Sequence, residues 1–276
     1  MITITDLYIY PVKSCAPIRV DEVDLWETGP AFDRYWMLID DDGKFLSQRN
    51  TPAMAKIQPS LRFGQLRLEA PGMLALDVPI QGFDFEAAER FSVQVWYSGA
   101  EGFVEPDVVN QWFSTFLGRP CRVLRFDPDY RRVCDRDWTG DDEAITHFSD
   151  GFPLLVTSRA SLDELNRRLE KVGEPAVEMI RFRPNIVIDG VGPYEEEDIE
   201  YLRHENYTLR LVKPCERCPM PNLDLATGRF SEEPTRTLRE YHLSPGGKNV
   251  LFGINGIITA GADTGKLRVG DVLEAE

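Results

Sequence analysis

Apolar and polar residues alternate with a period of two over much of the first hundred positions, the pattern of strands that bury one face only. Ile2 to Tyr10 alternates in this way and predicts a first strand ending at Pro11. Arg34 to Asp40 predicts a second strand, Asp42-Gly43 a hairpin turn, and Lys44 to Arg49 the return strand. Leu61-Arg62-Phe63 and Leu66-Arg67-Leu68, separated by Gly64-Gln65, repeat the hairpin, and Phe91 to Val95 alternates again. An antiparallel barrel or sandwich is therefore expected for this part of the chain.

The period then lengthens. Val108, Val109, Trp112, Phe113, Phe116 and Leu117 fall on one helical face, with Gly118 as the stop. Asp127 to Glu143 is polar, of mixed charge and without period, and reads as a long surface loop. Ser161-Leu162-Asp163-Glu164 has capping-box spacing and predicts a second helix, with Leu162, Leu165, Leu169 and Val172 on one face and Gly173 at its end. Arg181 to Ile188 reads as a strand whose cationic first half is confined by Pro184 to an edge or a bulge. Tyr207 to Val212 alternates as a half-buried strand that Pro214 is expected to end. Leu267 to Leu273 closes the chain as strand and turn.

Composition adds bounds rather than detail. The 276 residues are 42% hydrophobic and 28% charged, enough for one large or two smaller domains with real cores. The net charge of −15 argues against nucleic acid or a membrane surface as a partner, since both require clustered positive potential. The acidic runs Asp40-Asp41-Asp42 and Glu195-Glu196-Glu197-Asp198 read as solvated turns. The amino terminus lacks the basic and apolar regions of a signal peptide, and no apolar run approaches the ~20 residues that span a bilayer. Five cysteines at irregular spacing argue against a disulfide framework and for a reducing compartment, so a cytoplasmic protein is expected.

The unusual chemistry gathers at Lys213-Pro214-Cys215-Glu216-Arg217-Cys218-Pro219-Met220-Pro221. Two thiols three positions apart follow a strand, with a guanidinium between them to favour thiolate. Spacing alone leaves open a metal ligand, a redox pair or two inert thiols. Zinc would need further ligands, and no second C-x-x-C or histidine pair exists; His147, His204 and His242 lack ligand spacing. The polar turn Val12-Lys13-Ser14-Cys15 and the arginines Arg181 and Arg183 either sit on the surface or face an anionic ligand.

With these residues laid out, the chain resembles the molybdenum cofactor sulfurase C-terminal (MOSC) family. More narrowly, it resembles the branch that reduces N-hydroxylated compounds, which includes the mitochondrial amidoxime-reducing component and bacterial relatives. Ile9 to Cys15 and Asp33-Arg34-Tyr35-Trp36 resemble the family's N-terminal β-barrel domain; Ala160 to Asn166, Arg181 to Val187, and Cys215-Glu216-Arg217-Cys218 resemble the MOSC domain. The resemblance implies a β-rich α+β fold: an N-terminal barrel-like domain over residues 1–120, and a MOSC barrel with peripheral helices over 121–276.

It further implies a molybdenum cofactor (Mo-molybdopterin), with Cys218 both the protein ligand to the metal and the catalytic residue. Lys13, Ser14, Arg34, Arg183, Asn185 and Arg217 match positions that hold the pterin and its phosphate, together with the Gly151-Phe152 turn and Asn255. The implied reaction is reduction of small N-hydroxylated substrates such as amidoximes, hydroxylamines and N-hydroxylated bases. Animal relatives carry hydroxyl residues after the ligand cysteine where this chain has Pro219-Met220-Pro221-Asn222, so substrate preference is not carried over. Some bacterial relatives continue into an iron–sulfur domain, whereas this chain stops at Glu276, so electrons are expected from a separate electron-transfer protein or reductase. The rival readings are a cofactor or sulfur carrier without turnover, and a structural or zinc-binding protein.

Overall fold

The computed structural model describes residues 1–276. Its first half forms β1 (Ile2–Ile9), β2 (Ile18–Val20), β3 (Glu22–Trp26), β4 (Gly29–Pro30), β5 (Trp36–Ile39), β6 (Gln58–Arg62), β7 (Gln65–Glu69), β8 (Leu76–Pro79), β9 (Arg90–Val95), β10 (Ser98–Val104), α1 (Asp107–Leu117) and β11 (Arg122–Phe126). The second half supplies α2 (Arg136–Thr139), β12 (Leu154–Ser158), α3 (Arg159–Lys171), β13 (Ile186–Asp189), β14 (Tyr201–His204), β15 (Tyr207–Glu216), α4 (Thr235–Arg239), β16 (Leu251–Ala260), β17 (Lys266–Arg268) and β18 (Val272–Ala275). No helix is long and apolar enough to cross a membrane.

Seven strands close into a barrel in the order β13-β12-β16-β15-β14-β18-β1, with β1 pairing back onto β13. Alternating apolar side chains such as Ile4, Leu7, Leu154, Val156, Ile186, Ile188, Leu209 and Ile254 fill its interior. The β12–β13 pair is parallel and therefore needs a crossover, which α3 provides. Leu165 and Leu169 of that helix pack with Phe182 and Phe252, whose rings stack at 3.8 Å.

The second layer is an open half-barrel. Its sheets run β5-β11-β10-β9 and β6-β7-β8, and Val109, Trp112 and Phe113 of α1 join Trp36, Leu66 and Leu68 in one buried cluster. As its pattern predicts, α1 ends at Gly118 in the left-handed conformation (φ 65°). Within this layer Arg125 and Glu105 form a fully buried pair, and the Trp36 indole N–H donates to the same carboxylate at 2.7 Å.

The division at residue 120 in sequence is not a division in space. β1 completes the barrel of the second half because its buried positions Ile2, Ile4, Leu7 and Ile9 point into that core.

Several local expectations are corrected. Lys44 to Arg49 is not a return strand: Ile39 and Phe45 form a single bridge, and Leu46, Ser47 and Gln48 are all buried, which no alternating strand permits. Asp127 to Glu143 runs mostly along the surface as expected, but Asp127, Arg132, Cys134 and Thr139 turn inward and are buried, and the short helix α2 lies within it. Helix α3 starts earlier than the capping box indicates. Ser158 is its N-cap, its hydroxyl accepting from the Ser161 N–H, and Val172 ends up exposed. Ser161 instead donates to Glu196, which is completely buried, so that acidic run is not simply a solvated turn.

Arg181 and Arg183 lie outside the strand. Met179–Phe182 is a 3-10 turn, Arg183 is left-handed (φ 58°), and pairing begins only at Ile186. Pro214 does not end β15, which continues to Glu216. The ladder shifts register on both sides of Pro214, and such irregularities tolerate a missing N–H.

Candidate functional site

A cleft of about 140 Å³ is lined by 22 residues from both halves of the chain. All ten candidate residues are among them: Lys13, Ser14, Arg34, Gly151, Phe152, Arg183, Asn185, Arg217, Cys218 and Asn255. Five cationic side chains and two carboxylates face this space in a protein of net charge −15. Backbone strain is concentrated there too. Of eight non-glycine residues with positive φ, Ser14, Arg34, Trp96 and Arg183 line the cleft.

The turn after β1 places Lys13 at the cleft, its N–H bonded to the Trp36 carbonyl. The Lys13 ammonium donates to the Phe148 carbonyl at 2.8 Å and pairs with Asp150. Burial pulls its pKa below the ordinary value, and Asp150 opposes that shift. Its cleft position works against charge on Asp150, whose side chain is nevertheless 71% exposed; the Lys13 charge and hydrogen bond, with a hydrogen bond from Trp96, hold its carboxyl below the usual carboxylate range.

Arg34, left-handed at φ 47°, pairs with buried Asp33 and donates to Asn185 Oδ1 at 3.1 Å and the Arg183 carbonyl at 3.2 Å. Arg34 and Arg183 both lie 4.2 Å from the centroid of the buried Tyr10 ring. Burial, with the Arg34 charge adding to it, brings the Arg183 pKa down to about 10, which leaves it charged at neutral pH.

Asn185 organises the cleft rather than facing it freely. Its Oδ1 accepts from Arg34 and from the Leu155 N–H, and its Nδ2 donates to the Tyr8 carbonyl at 3.2 Å. Asn255, on β16, donates to the Lys213 carbonyl and so braces the start of the cysteine loop. Gly151 has open space where a Cβ would stand, so close backbone approach is not what it contributes.

The cysteine loop holds a surprise for its guanidinium. Arg217 Nη1 contacts Cys215 Sγ at 3.0 Å and Nη2 donates to the Phe182 carbonyl at 2.7 Å. Its ion-pairing capacity is therefore directed at the first thiol of the motif rather than the second. The other three cysteines are buried, and burial pushes the thiols of Cys15 and Cys134 up to about 12 and that of Cys121 up as well. Cys215 and Cys218, both partly exposed, are left as the accessible thiols, and both line the cleft.

These residues fit an anionic group held by one thiolate. The polar partners of Arg49, Arg183 and Arg217 are a hydroxyl, carbonyls and a thiol rather than carboxylates, so their charges remain uncompensated. Arg217 Nε is a buried donor without a partner. No group of three His, Cys, Asp or Glu side chains converges anywhere, so a metal held by protein ligands alone does not fit.

Four cleft residues escape the sequence reading. Arg49 and Phe45 lie in the segment read as a return strand, where the broken alternation of Leu46-Ser47-Gln48 was the available signal. Trp96 occupies a hairpin tip where turn chemistry calls for glycine or asparagine, a violation that marks functional sites. Asp150 carries no distinguishing local signal.

Comparison with known proteins agrees with this geometry. The MOSC N-terminal beta barrel domain profile matches residues 1–120, and the MOSC domain profile matches residues 143–274. Mitochondrial amidoxime-reducing component 1 of Mus musculus is 33% identical over 98% of this chain and 81% of its own length. Mitochondrial amidoxime reducing component 2 of Bos taurus is 30% identical over 98% of this chain and 82% of its own length. Molybdenum cofactor sulfurase of Oryza sativa subsp. japonica is 32% identical over 92% of this chain, but this covers only 32% of that longer protein. With both domains matched and near-complete coverage of relatives at this identity, the chain belongs to the MOSC family.

Proposed function

We propose that the cleft holds a molybdenum cofactor with the Cys218 thiolate as protein ligand, and that the protein reduces small N-hydroxylated compounds with electrons from a separate carrier. The observation that supports this most is the convergence of ten residues from six separate stretches of the chain on one cationic cleft in an anionic protein. The relatives named amidoxime-reducing components point to the same substrate class.

When bound, the cofactor supplies the two-electron chemistry that breaks the N–O bond; overall, R–NHOH takes up two electrons and two protons and gives R–NH2 and water. The chain's own part is binding and orientation. Lys13, Arg34 and Arg183 offer charge-assisted donors to the anionic pterin phosphate, and Arg217 Nε offers a further donor beside Cys218. Asn185 and Asp33 fix Arg34, so its fork is oriented before the ligand arrives. Asp150 pairs with Lys13 and orients its ammonium, and the Trp96 N–H holds Asp150 in place at 3.0 Å.

A separate electron carrier is part of the proposal. The sequence has no Gly-rich nucleotide-binding turn after a strand, and three of the five thiols are buried without converging on an iron–sulfur site. The test is metal and pterin analysis of protein purified from a host that makes the cofactor, followed by turnover of benzamidoxime with reduced viologen. About one molybdenum per chain and viologen-dependent benzamidine formation are expected. Full cofactor content without turnover would favour a carrier, a reading to which the sulfurase relative lends weight. Zinc in place of molybdenum would overturn both.

A further inference from the structure

We propose that Trp96, braced by Arg49 and Phe45, forms an aromatic lip that selects planar, conjugated N-hydroxylated substrates over aliphatic ones. The inference deepens the reductase reading and rests on it. Trp96 stands at the first position of the two-residue turn between β9 and β10, where Ser98 pairs with Val95. Its φ of 57° lies in the left-handed region, where a Cβ crowds the following carbonyl. A bulky indole at such a position costs on the order of 1–3 kcal/mol, and strain of that kind persists where surrounding contacts over-determine it.

Three contacts do so here. The indole N–H donates to Asp150 Oδ1 at 3.0 Å, Arg49 lies over the ring at 4.2 Å from its centroid, and Phe45 meets it edge-on at 5.7 Å. The residue remains 38% exposed and lines the same cleft as Cys218. Packing does not explain this placement, because a core tryptophan would be covered. Tyr97, next to it on the same turn, is 97% exposed and makes no such network, so the turn itself does not demand aromatic residues. What the contacts achieve is a rigid, part-open π surface at the cleft. Such a surface gains most from a flat, conjugated partner in an offset or edge-to-face arrangement, and little from a small aliphatic one. Aryl amidoximes and N-hydroxylated bases are planar; acetamidoxime offers almost no π face.

The test compares kcat/KM for benzamidoxime and acetamidoxime, driven by reduced viologen, in cofactor-loaded wild type, Trp96→Ala and Trp96→Phe. Equilibrium binding of the corresponding amidines, benzamidine and acetamidine, is measured on the same samples. The benzamidoxime-to-acetamidoxime ratio is expected to fall about three- to tenfold in Trp96→Ala, the range of an aromatic pair. Trp96→Phe should recover most of it, and benzamidine affinity should weaken with the ratio while acetamidine affinity changes less. Equal losses for both substrates, or loss of molybdopterin from Trp96→Ala, would overturn the lip and assign Trp96 to cofactor retention or folding. If wild type reduces neither substrate, the reductase reading fails, and the amidine binding comparison still decides whether Trp96 discriminates planar ligands.

Discussion

Acid should destabilise this protein through a residue that never touches the cleft. His147 is 5% exposed and surrounded by the rings of Tyr35 at 5.0 Å, Phe126 at 4.9 Å and Trp26 at 6.2 Å, with Nδ1 3.2 Å from the Asp33 carbonyl. Burial brings its pKa down from 6.5 to about 4, only partly opposed by the Asp33 contact. The folded-state pKa therefore lies below that of the unfolded chain, and the unfolded state takes up more protons between pH 6.5 and 4. Stability is retained above that window and lost as pH falls through it. Linkage gives a loss from this one group of about 2 kcal/mol at pH 5 and about 3 kcal/mol at pH 4.

The measurement is urea unfolding of wild type and His147→Gln at pH 7, 6, 5 and 4. The variant's stability at pH 7 is not the issue; the difference between the two pH profiles is. Wild type should lose about 2 kcal/mol more than the variant between pH 7 and 5. Parallel profiles would refute the reasoning. A consequence for the cleft follows, because the next residue, Phe148, supplies the carbonyl that holds Lys13 and bonds through its N–H to the Arg34 carbonyl. Release of molybdopterin on acidification should accordingly be shallower in the variant.

Three further outcomes are expected. Cys218→Ala should lose molybdenum and N-reductive turnover, whereas Cys215→Ala retains much of both; equal loss in two folded variants would instead indicate a dithiol redox pair. Arg217→Lys should weaken retention of molybdopterin through repeated dialysis by about tenfold or more. The point charge cannot serve Cys215, Phe182 and a ligand together, and one charge-assisted bond is worth about 1.5–3 kcal/mol. Asn185→Leu leaves the Leu155 N–H, the Tyr8 carbonyl and one Arg34 donor unmatched, so thermal unfolding should show a loss of several kcal/mol. An unchanged melting temperature would show that water replaces the amide there.

What could be read in the sequence and what could not follow from how locally each feature is determined. Helix α1, its glycine stop and the hairpin of β6 and β7 are set by nearby residues, and their patterns held. The Pro214 expectation failed because ladder register depends on β16, forty residues away in sequence. Glu196 looked solvated beside its acidic neighbours, but burial there is decided by Ser158 and Ser161 at the start of α3. The site residues carried by motifs converge on one cleft, whereas Arg49, Trp96 and Asp150 reach it only through tertiary contacts that no local pattern announces. Nor does a motif say whether a side chain faces the cleft or braces it. Asn185 belongs to the cleft, yet all three of its side-chain hydrogen bonds go to protein.

The placement of charge makes the cleft suited to the proposed anionic group even though the protein as a whole is acidic. Exposed charges more than about 8–10 Å away are largely screened at physiological salt, so the net −15 matters less at the cleft than its immediate lining. Within that lining, cations packed together would repel, and the Arg34 charge adds to the burial that depresses Arg183. The chain offsets this in two ways. Lys13 and Arg34 each take one carboxylate, Asp150 and Asp33, which orients them without consuming every donor. Arg34 and Arg183 rest on the Tyr10 ring, and Arg49 on Trp96, where the electron-rich faces stabilise positive charge while the guanidinium edges stay available. Tyr10 and Arg34 come from the first half of the sequence, Arg183 and Asn185 from the second, and the Arg34–Asn185 bond joins them. Neither half alone supplies all the side chains of this cationic floor.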